Sequence, residues 1–428
     1  MLRKITILLG LFIFPPALWA MSQVPIERHT IIQFTNSTPH TLSAYIATGN
    51  NVELLTTQIM PLSTVALADI TRTATDDDIT LTLSNAEYSF NLTQRVTNSE
   101  LAFGIDSETV TVEPQTDSAI QRVELQLADK TNTLAFNSEK LSKGGKVNYV
   151  LQLQDQKPTM GAGNEFSLLS YNIWATTIFG SKKVDTRLTE MPAVMSGYDA
   201  LVLTEVFDPI RTNKLLKQLS KEYSFTSSEI FKLGKIMQSG TRILTPWPVE
   251  VEKSLKYSNC NGIQCAATRG VIYTRINKQG YIYHVFATHT QSSDDDVNRA
   301  ARLAQLEEMG EFIRQQNIPE DEAVILAGDF NVNKIGLPGD RDLMTIILNA
   351  SEPENKGHNL SFDSNTNHWA EKPYLEYLDY TLTGNDNLQP LSASQEIFAP
   401  RALTESLWGI WDLSDHYAAR GYFTYPSK

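Results

Sequence analysis

The chain has 428 residues, of which 41% are hydrophobic and 20% are charged, and its formal net charge is −13. This composition is typical of folded globular proteins and excludes a wholly disordered chain. The length suits two domains better than one. The acidic balance argues against binding to the phosphate backbone of nucleic acid, because that backbone favours basic surfaces.

The first 20 residues have the layout of a secretory signal peptide. Arg3 and Lys4 precede the apolar run "ITILLGLFIF", and "PPALWA" ends at the small residue Ala20. Cleavage is expected near Ala20, although Leu18 stands where a small residue is preferred. A membrane anchor is the alternative, but the apolar run is shorter than the ~20 residues that a spanning helix needs. We therefore expect a secreted protein.

Residues 23–156 carry short runs of alternating apolar and polar residues, such as "HTIIQFTN", "DITLTLSN" and "KVNYVLQLQ". Turn-forming residues separate these runs, so the pattern predicts an all-β, sandwich-like N-terminal domain of unknown role. His29 and His40 are isolated, which favours a binding or scaffolding module over an enzyme. Residues 157–164 contain proline and glycine and are predicted to be a linker.

Residues 165–428 alternate strand patterns with helical ones. Strands are predicted at "FSLLSYNIW", "DALVLTEVF", "RGVIYTRI", "YIYHVFATHTQ" and "AVILAGDFNV". Helices are predicted at "RTNKLLKQLSKEY" and "DVNRAARLAQLEEMGEFIRQQN", where apolar residues recur at helical spacing. This interleaving predicts layered α/β packing, with helices outside a sheet core.

The two cysteines, Cys260 and Cys265, lie close together in "NCNGIQC". In an oxidising exterior they can form a disulfide that closes a short loop, and two free thiols are the alternative. With no histidine near them, they cannot form the usual four-ligand zinc site.

Polar side chains stand at or near the ends of several predicted strands, where packing has no use for them. Asp329 and Asn331 lie two residues apart on an extended chain and therefore point the same way. The other members of the set are Asn172, Glu205, His289, Asp379, Asp415 and His416. Oxygen ligands suit Mg²⁺, and imidazoles suit proton transfer near neutral pH. Each residue alone is as easily a turn former or a surface group, but together they predict a hydrolytic site.

The motifs "SYNIW", "LTEVFD", "ATHTQ", "AGDFNV" and "LSDHY" resemble those of the endonuclease/exonuclease/phosphatase superfamily. Within it, "RGVIYTRI", "HVFATHTQ", "AGDFNVNK" and "EYLDYTL" resemble the secreted bacterial sphingomyelinase C (neutral sphingomyelinase) group. The resemblance covers roughly residues 165–423. It implies a catalytic domain that is a four-layer α/β sandwich with two central sheets. It also implies a secreted, haemolytic Mg²⁺-dependent phosphodiesterase of phospholipase C type, which hydrolyses sphingomyelin to ceramide and phosphocholine.

The same resemblance implies a metal site. Glu205 would be the chief Mg²⁺ ligand, with Asn172 beside it and Asp415 on the metal or water side. Whether one or two ions bind is left open.

The resemblance further implies the catalytic roles. His416 would be the general base that takes a proton from the attacking water, and Asp379 would orient its ring. Asp329 and Asn331 would hold the phosphate and the water, or a second metal ion. His289 would donate to the phosphoryl oxygens as charge builds on them.

One segment suggests contact with a membrane surface. "LTESLWGIWDL" groups Trp408, Ile410 and Trp411, and tryptophan suits the boundary between water and lipid. In the sphingomyelinase group an aromatic-tipped hairpin near this position is thought to insert into lipid. Core aromatics are the alternative interpretation. The loop "WATTIFGSKK", residues 174–183, is a weaker candidate for a second contact.

The remaining histidines of the C-terminal half are assigned no catalytic role. His284 lies five residues before His289 on the same predicted strand, so it faces the opposite side and is interpreted as structural. His358 and His368 lie in a polar stretch and are assigned nothing.

The alternatives to a sphingomyelin phosphodiesterase are an extracellular nuclease on the same scaffold, a non-catalytic adhesin and an inositol-phosphate phosphatase. The expected partner is sphingomyelin in a membrane surface. Neither nucleic acid nor a stable protein partner is expected.

Overall fold

The computed structural model describes residues 28–72, 75–97, 100–116, 118–141, 144–154, 158–176, 180–231, 233–234 and 237–428. The predicted signal peptide lies outside the described residues. Within those ranges, every helix is too short or too polar to cross a bilayer.

The described elements of the N-terminal half are strands β1–β12. Their bounds are β1 Arg28–Ser37, β2 Leu42–Thr48, β3 Val52–Leu54, β4 Gln58–Ile59, β5 Thr64–Arg72, β6 Asp77–Ser84, β7 Ser89–Val96, β8 Leu101–Asp106, β9 Thr111–Gln115, β10 Gln121–Leu127, β11 Lys130–Leu141 and β12 Gly144–Leu153. In β7, for example, Phe90 and Leu92 are buried while Ser89 and Arg95 are exposed, as the two-residue period of a strand requires.

These strands form two six-stranded sheets, in the orders β10-β11-β12-β1-β5-β3 and β4-β2-β6-β7-β8-β9. The buried faces of both sheets contribute to one hydrophobic cluster. Phe136 and Tyr149 stack at its centre with ring centroids 5.5 Å apart. The N-terminal half is therefore a two-sheet β-sandwich with its own core.

The C-terminal half contains strands β13–β27 and helices α1–α5 among its described residues. The strands are β13 Glu165–Ala175, β14 Ala200–Val206, β15 Phe225–Thr226, β16 Arg242–Thr245, β17 Val249–Lys256, β18 Gly270–Lys278, β19 Tyr281–His289, β20 Ala323–Asp329, β21 Ala350–Ser351, β22 Glu354–Asn355, β23 Phe362–Asp363, β24 Leu375–Glu376, β25 Asp379–Gly384, β26 Ser392–Phe398 and β27 Ala418–Thr424. The helices are α1 Val184–Glu190, α2 Pro192–Met195, α3 Pro209–Leu219, α4 Asp296–Arg314 and α5 Pro338–Leu348, and short 3₁₀ helices span Gly262–Ala266 and Glu405–Leu407.

Two mixed sheets form the centre of this half. Their strand orders are β15-β16-β14-β13-β27-β26-β22 and β17-β18-β19-β20-β25-β21. One cluster, which includes Leu168, Val202, Val285 and Ile325, fills the space between the two sheets. This cluster is the inter-sheet core, and it determines which side chains of the strands face inward.

The helices cover the outer faces of the two sheets. Leu188 of α1 and Leu215 of α3 pack with Tyr171 of β13 on one side. Met309 of α4 packs with Leu326 of β20 on the other side. The order of the layers is therefore helix, sheet, sheet, helix. The strands are apolar on both faces because both faces are covered.

The two halves contact each other through the segment that precedes the last strand. The buried Arg401 guanidinium donates to Asp412 Oδ1 at 2.8 Å and, across the interface, to Ser37 Oγ at 2.7 Å and the Leu62 carbonyl at 3.0 Å. Residues 158–164, the described part of the predicted linker, form neither a helix nor a strand. The N-terminal half is thus attached to the segment that leads to the candidate site.

Candidate active site

Three of the sequence-predicted residues, at the ends of β19, β20 and β25, face the same space because of strand periodicity. In β19, Val285 and Ala287 face the inter-sheet core, and His289 continues their register at the end of the strand. In β20, Ile325 and Ala327 face the inter-sheet core, and Asp329 continues their register at the end of the strand. The polar groups therefore lie where the inter-sheet core ends.

The strand register aligns three of these groups side by side. His289 of β19 is paired with Asp329 of β20, and Asp329 is paired with Asp379 of β25. Adjacent strands lie about 4.8 Å apart, so three polar side chains on one face form a continuous row. The row is deeply buried, since His289 is 2% exposed and Asp379 is fully buried.

His416 completes this row from the other sheet's side. Its Nδ1 donates to Asp379 Oδ2 at 2.8 Å, and its Nε2 lies 3.9 Å from Asp329 Oδ2. Burial opposes a charged imidazole, but the neighbouring carboxylates Asp379 and Asp329 outweigh it and raise the pKa of His416 well above its usual value. The ring is thus oriented by one carboxylate while its second nitrogen faces another.

Asp329 is the centre of the cluster. One of its oxygens, Oδ2, accepts a hydrogen bond from Asn172 Nδ2 at 3.0 Å and lies 3.4 Å from His289 Nε2. The other, Oδ1, accepts the backbone N–H of Asn331 at 3.0 Å. Asn331 in turn donates its side-chain amide to the Thr290 carbonyl, which directs it away from Asp329.

Three carboxyl groups of the site, those of Asp329, Asp415 and Glu205, have raised pKa values, as crowded buried acids do. Burial, followed by the charge of Asp379, raises the pKa of Asp329 to about 6. Burial raises the pKa of Asp415 to about 7, and Glu205 adds to this rise. Burial also raises the pKa of Glu205. A cation placed among these groups would relieve the repulsion between them.

The donor set fits a divalent cation. Asp329, Asp379 and His416 each offer a ligand atom, and these atoms all lie within 4.8 Å of one another. Asp379 Oδ1 and His289 Nδ1 are buried without a hydrogen-bond partner among the described residues. Carboxylate-rich sites suit hard cations such as Mg²⁺.

This cluster differs from the predicted ligand set of Glu205, Asn172 and Asp415. Asn172 joins the two sets, because its side-chain amide donates to Asp329 Oδ2 at 3.0 Å and it also hydrogen bonds with Glu205. Glu205 also has a left-handed backbone, with φ of 58°, a conformation that is uncommon for residues other than glycine.

Two arginines at the site, the buried Arg187 and the half-buried Arg269, have no counterpart in the sequence prediction. Arg187 of α1 donates to the carbonyls of Ile173 at 3.1 Å and Leu413 at 2.8 Å, so it joins the end of β13 to the segment carrying Asp415. Arg269 lies just before β18 and is close enough to lower the pKa of Glu205, although burial is the larger influence on that group. The sequence does not predict that Arg187 and Arg269 lie at the site, because each is an isolated arginine, in "DTRL" and "ATRG" respectively.

Other predicted features are placed as follows. The disulfide between Cys260 and Cys265 is present, which confirms the predicted pairing. His284 faces away from the site, donates from Nε2 to Glu322 Oε2 at 2.6 Å and accepts from the Tyr273 hydroxyl at 2.8 Å, as a structural histidine should.

The segment predicted to contact a membrane is largely occupied by contacts within the protein. Trp411 is 5% exposed and packs with Ala135 and Val150 of the N-terminal half. Half-buried Trp408 donates its indole N–H to Asn137 Oδ1 at 3.0 Å. The membrane role of Trp408, Ile410 and Trp411 remains a prediction, and the burial of Trp411 counts against it. The second candidate loop, residues 174–183, lies partly outside the described residues.

The profile of the Endonuclease/Exonuclease/phosphatase family matches residues 169–416, a span that contains every residue of the cluster. The chain belongs to this family. The match begins just inside β13, so it leaves the N-terminal β-sandwich outside.

Similar members of the family are bacterial phospholipases and sphingomyelinases, which confirms the predicted resemblance. A Phospholipase C of Staphylococcus aureus is 27% identical over 60% of this chain and 87% of its own length. A Sphingomyelinase C of Listeria ivanovii is 30% identical over 53% of this chain and 76% of its own. The crystal structure of a Staphylococcus aureus beta toxin variant with bound magnesium ions is 26% identical, with a TM-score of 0.56, and the alignment covers 60% of this chain and 99% of that one.

Proposed function

We propose that this family member is a secreted, Mg²⁺-dependent phosphodiesterase of phospholipase C type that hydrolyses sphingomyelin to ceramide and phosphocholine. The observation that carries the proposal is the buried His416–Asp379 pair, whose free imidazole nitrogen faces the Asp329 carboxylate. The similarity to sphingomyelinases supports the choice of lipid. The divalent cation is supported by the carboxylate cluster and by the magnesium ions in the related beta toxin variant.

In the proposed reaction His416 acts as the general base. Because Nδ1 donates to Asp379, the ring presents Nε2 toward the side where Asp329 lies. In its neutral form, the ring takes a proton at Nε2 from a water molecule as the water oxygen attacks phosphorus. A cation bound beside the carboxylates would offset the negative charge that raises the pKa of His416. The bond from phosphorus to the ceramide oxygen breaks, and that oxygen leaves as an alkoxide that takes up a proton from a second water molecule. A general base of this kind contributes about 10²–10⁴ to the rate.

The other groups bind and orient the phosphate. Burial lowers the pKa of His289 well below its usual value, with Arg269 adding to the effect, so this imidazole is neutral and can donate one N–H to a phosphoryl oxygen. Asp329 and Asn331 orient the attacking water and the phosphate. Glu205 and Asn172 would hold Mg²⁺, with Asp415 on the same side. When bound, the ion supplies positive charge that stabilises the charge developing on the phosphoryl and leaving oxygens.

The remaining proposals concern the parts of the chain outside the catalytic cluster. Residues 1–20 would direct secretion, with cleavage near Ala20. Residues 23–156 and 165–428 would be separate domains joined by residues 157–164. The first of these domains has its own hydrophobic cluster, which supports that division.

The function is tested by measuring hydrolysis of sphingomyelin vesicles, phosphatidylcholine vesicles and DNA in parallel, with and without EDTA. We expect cleavage of sphingomyelin that EDTA abolishes. We expect His416→Ala to abolish it as well, while His29→Ala retains it, because His29 is an exposed histidine of the N-terminal half. Cleavage of DNA instead of lipid would favour the nuclease alternative, and activity that survives EDTA would contradict the proposed mechanism.

A further inference from the structure

Arg269 is a basic residue at the site that the proposed reaction leaves without a role. It lies immediately before β18, next to the end of β19. Its guanidinium donates to Gln264 Oε1 at 3.2 Å and makes a long contact of 3.5 Å with the His289 carbonyl. Its Nε is buried and has no hydrogen-bond partner among the described residues. The side chain therefore retains unused donor capacity inside the protein.

The charge of Arg269 acts directly on the catalytic cluster. It lowers the pKa of His289 in addition to the larger effect of burial, and it opposes the rise that burial causes in the pKa of Glu205. Yet among the described residues no carboxylate forms an ion pair with it. The arginine thus lies close to the acidic groups without being bound to any of them.

Fully buried arginines elsewhere in the chain are committed to protein partners. Arg302 pairs with Asp294 at 2.8 Å, and Arg401 pairs with Asp412 at 2.8 Å. Arg269 is half-buried, but its buried Nε has no such partner in the described part of the chain, and a buried charged donor is costly unless another anion completes its hydrogen bonds. A phosphodiester in the pocket carries the required anionic oxygens.

We propose that the Arg269 guanidinium binds a non-bridging oxygen of the substrate phosphate, beside His289. This inference rests on the proposed phosphodiesterase function and adds a substrate-binding residue to it. Arginine suits this task because its fixed planar donors match phosphate oxygens and it remains charged when buried. The contact strengthens as negative charge accumulates on the phosphoryl oxygens during the attack.

The experiment measures the binding of inorganic phosphate to the full chain by calorimetry, with and without Mg²⁺, in Arg269→Gln and Arg269→Lys. We expect Arg269→Gln to weaken phosphate binding about 10- to 100-fold, the range for hydrogen bonds to charged groups. Arg269→Lys keeps one charged donor and should fall between this variant and the wild type. The thermal midpoint of each variant checks folding. If Arg269→Gln does not fold, Arg269→Lys decides: weakened binding supports the proposal, and wild-type affinity overturns it.

Arg275→Gln is the matched control. This arginine lies within β18, the strand that Arg269 precedes, but its guanidinium is paired with Glu322 at 2.6 Å and with Glu250, so its loss should leave phosphate binding unchanged. The alternative role for Arg269 is only to neutralise Glu205 and Asp329. In that case Arg269→Gln would strengthen Mg²⁺ binding and leave the affinity for phosphate unchanged, and this result would overturn the proposal.

The test is independent of which lipid is cleaved. A wild-type chain that binds phosphate through Arg269 but does not hydrolyse sphingomyelin would contradict the proposed substrate and support the role of Arg269. If the wild-type chain hydrolyses sphingomyelin but Arg269→Gln keeps the wild-type phosphate affinity and KM, the proposed substrate is supported and the role of Arg269 is contradicted. Wild-type protein that binds no phosphate under either condition would overturn the inference.

Discussion

His416 Nδ1 and Asp379 Oδ2 lie 2.8 Å apart in a pocket that leaves Asp379 fully buried. This bond fixes the direction of the imidazole and selects the tautomer whose Nε2 can accept a proton. Asp379 itself contacts the reaction only through His416, which makes it a positioning residue. Its two neighbours in register, Asp329 and beyond it His289, belong to the same row.

Asp379→Asn should reduce kcat about 10²- to 10⁴-fold with little change in KM, because an amide can stabilise the wrong tautomer of His416. The pH dependence of kcat should shift as well, since Asp379 is the first of the carboxylates that raise the pKa of His416 against the effect of burial. Steady-state kinetics across pH check both effects. Asp386→Asn, an exposed position, is the control. An unchanged pH profile in Asp379→Asn would argue that the two residues are not coupled.

Trp411→Ala should destabilise the protein by about 3–5 kcal/mol, since the ring is buried against Ala135 and Val150. If Trp411 served only to bind a membrane surface, Trp411→Ala would reduce vesicle binding and leave the free energy of unfolding unchanged. Chemical denaturation together with vesicle co-sedimentation separates these outcomes. Leu391→Ala, a highly exposed apolar position, is the control for both measurements.

Arg401→Met should cost about 3–5 kcal/mol of stability because it leaves Asp412 buried without its charged partner. It should also loosen the contact between the halves, since the same guanidinium donates to Ser37 and to the Leu62 carbonyl. Denaturant unfolding measures the first effect, and protease cleavage between the halves measures the second. Arg314→Met, which removes an exposed ion pair with Glu311, should have no measurable effect. Equal behaviour of the two variants would contradict the role assigned to Arg401.

His284 and Glu322 should make the protein less stable in mild acid. Burial lowers the pKa of His284 in the folded protein below its value of about 6.5 in the unfolded chain. Between these two pKa values the unfolded chain binds more protons than the folded protein, so the free energy of unfolding decreases as the pH falls. Burial opposes the charged form of Glu322, but hydrogen bonds from Arg275 and His284 outweigh it and lower the pKa of Glu322. The stability that Glu322 contributes is therefore fully present above its pKa in the unfolded chain. It is lost as the pH falls through its lower pKa in the folded protein.

Both shifts have the same sign, and His284 contributes a slope of at most about 1.4 kcal/mol per pH unit below pH 6.5. The measurement is the free energy of unfolding across this range for the wild type and for His284→Gln. The variant should be less stable at neutral pH and show a shallower slope in acid. Parallel curves for the two proteins would show that His284 takes no part in the acid sensitivity.

Much of the site was predictable because strand periodicity is local information. Two-residue spacing predicts that His289 faces one side of β19 and His284 the other, and the structure shows both. The same rule places Asp329 on the inner side of β20. The interleaved strand and helix patterns predicted the α/β packing of the C-terminal half, whereas its four-layer arrangement with two central sheets followed from the resemblance to the family.

The features that escaped prediction depend on contacts between distant segments. Arg269 lies beside His289 because β18 pairs with β19, and no local pattern marks that pairing. The hydrophobic pattern around Trp411 is the same for a lipid surface and for a protein neighbour, so only the packed N-terminal half distinguishes them. Likewise, the link from Arg401 to Ser37 joins residues 364 positions apart.

The central claim is that one buried pocket binds a divalent cation through carboxylates while His416 serves as the base. The most direct test is calorimetric Mg²⁺ binding combined with sphingomyelin hydrolysis for Glu205→Gln and His416→Ala. We expect Glu205→Gln to lose both metal binding and hydrolysis, and His416→Ala to lose hydrolysis alone. If His416→Ala loses Mg²⁺ as completely as Glu205→Gln does, then His416 is a metal ligand and the assignment of the base is wrong.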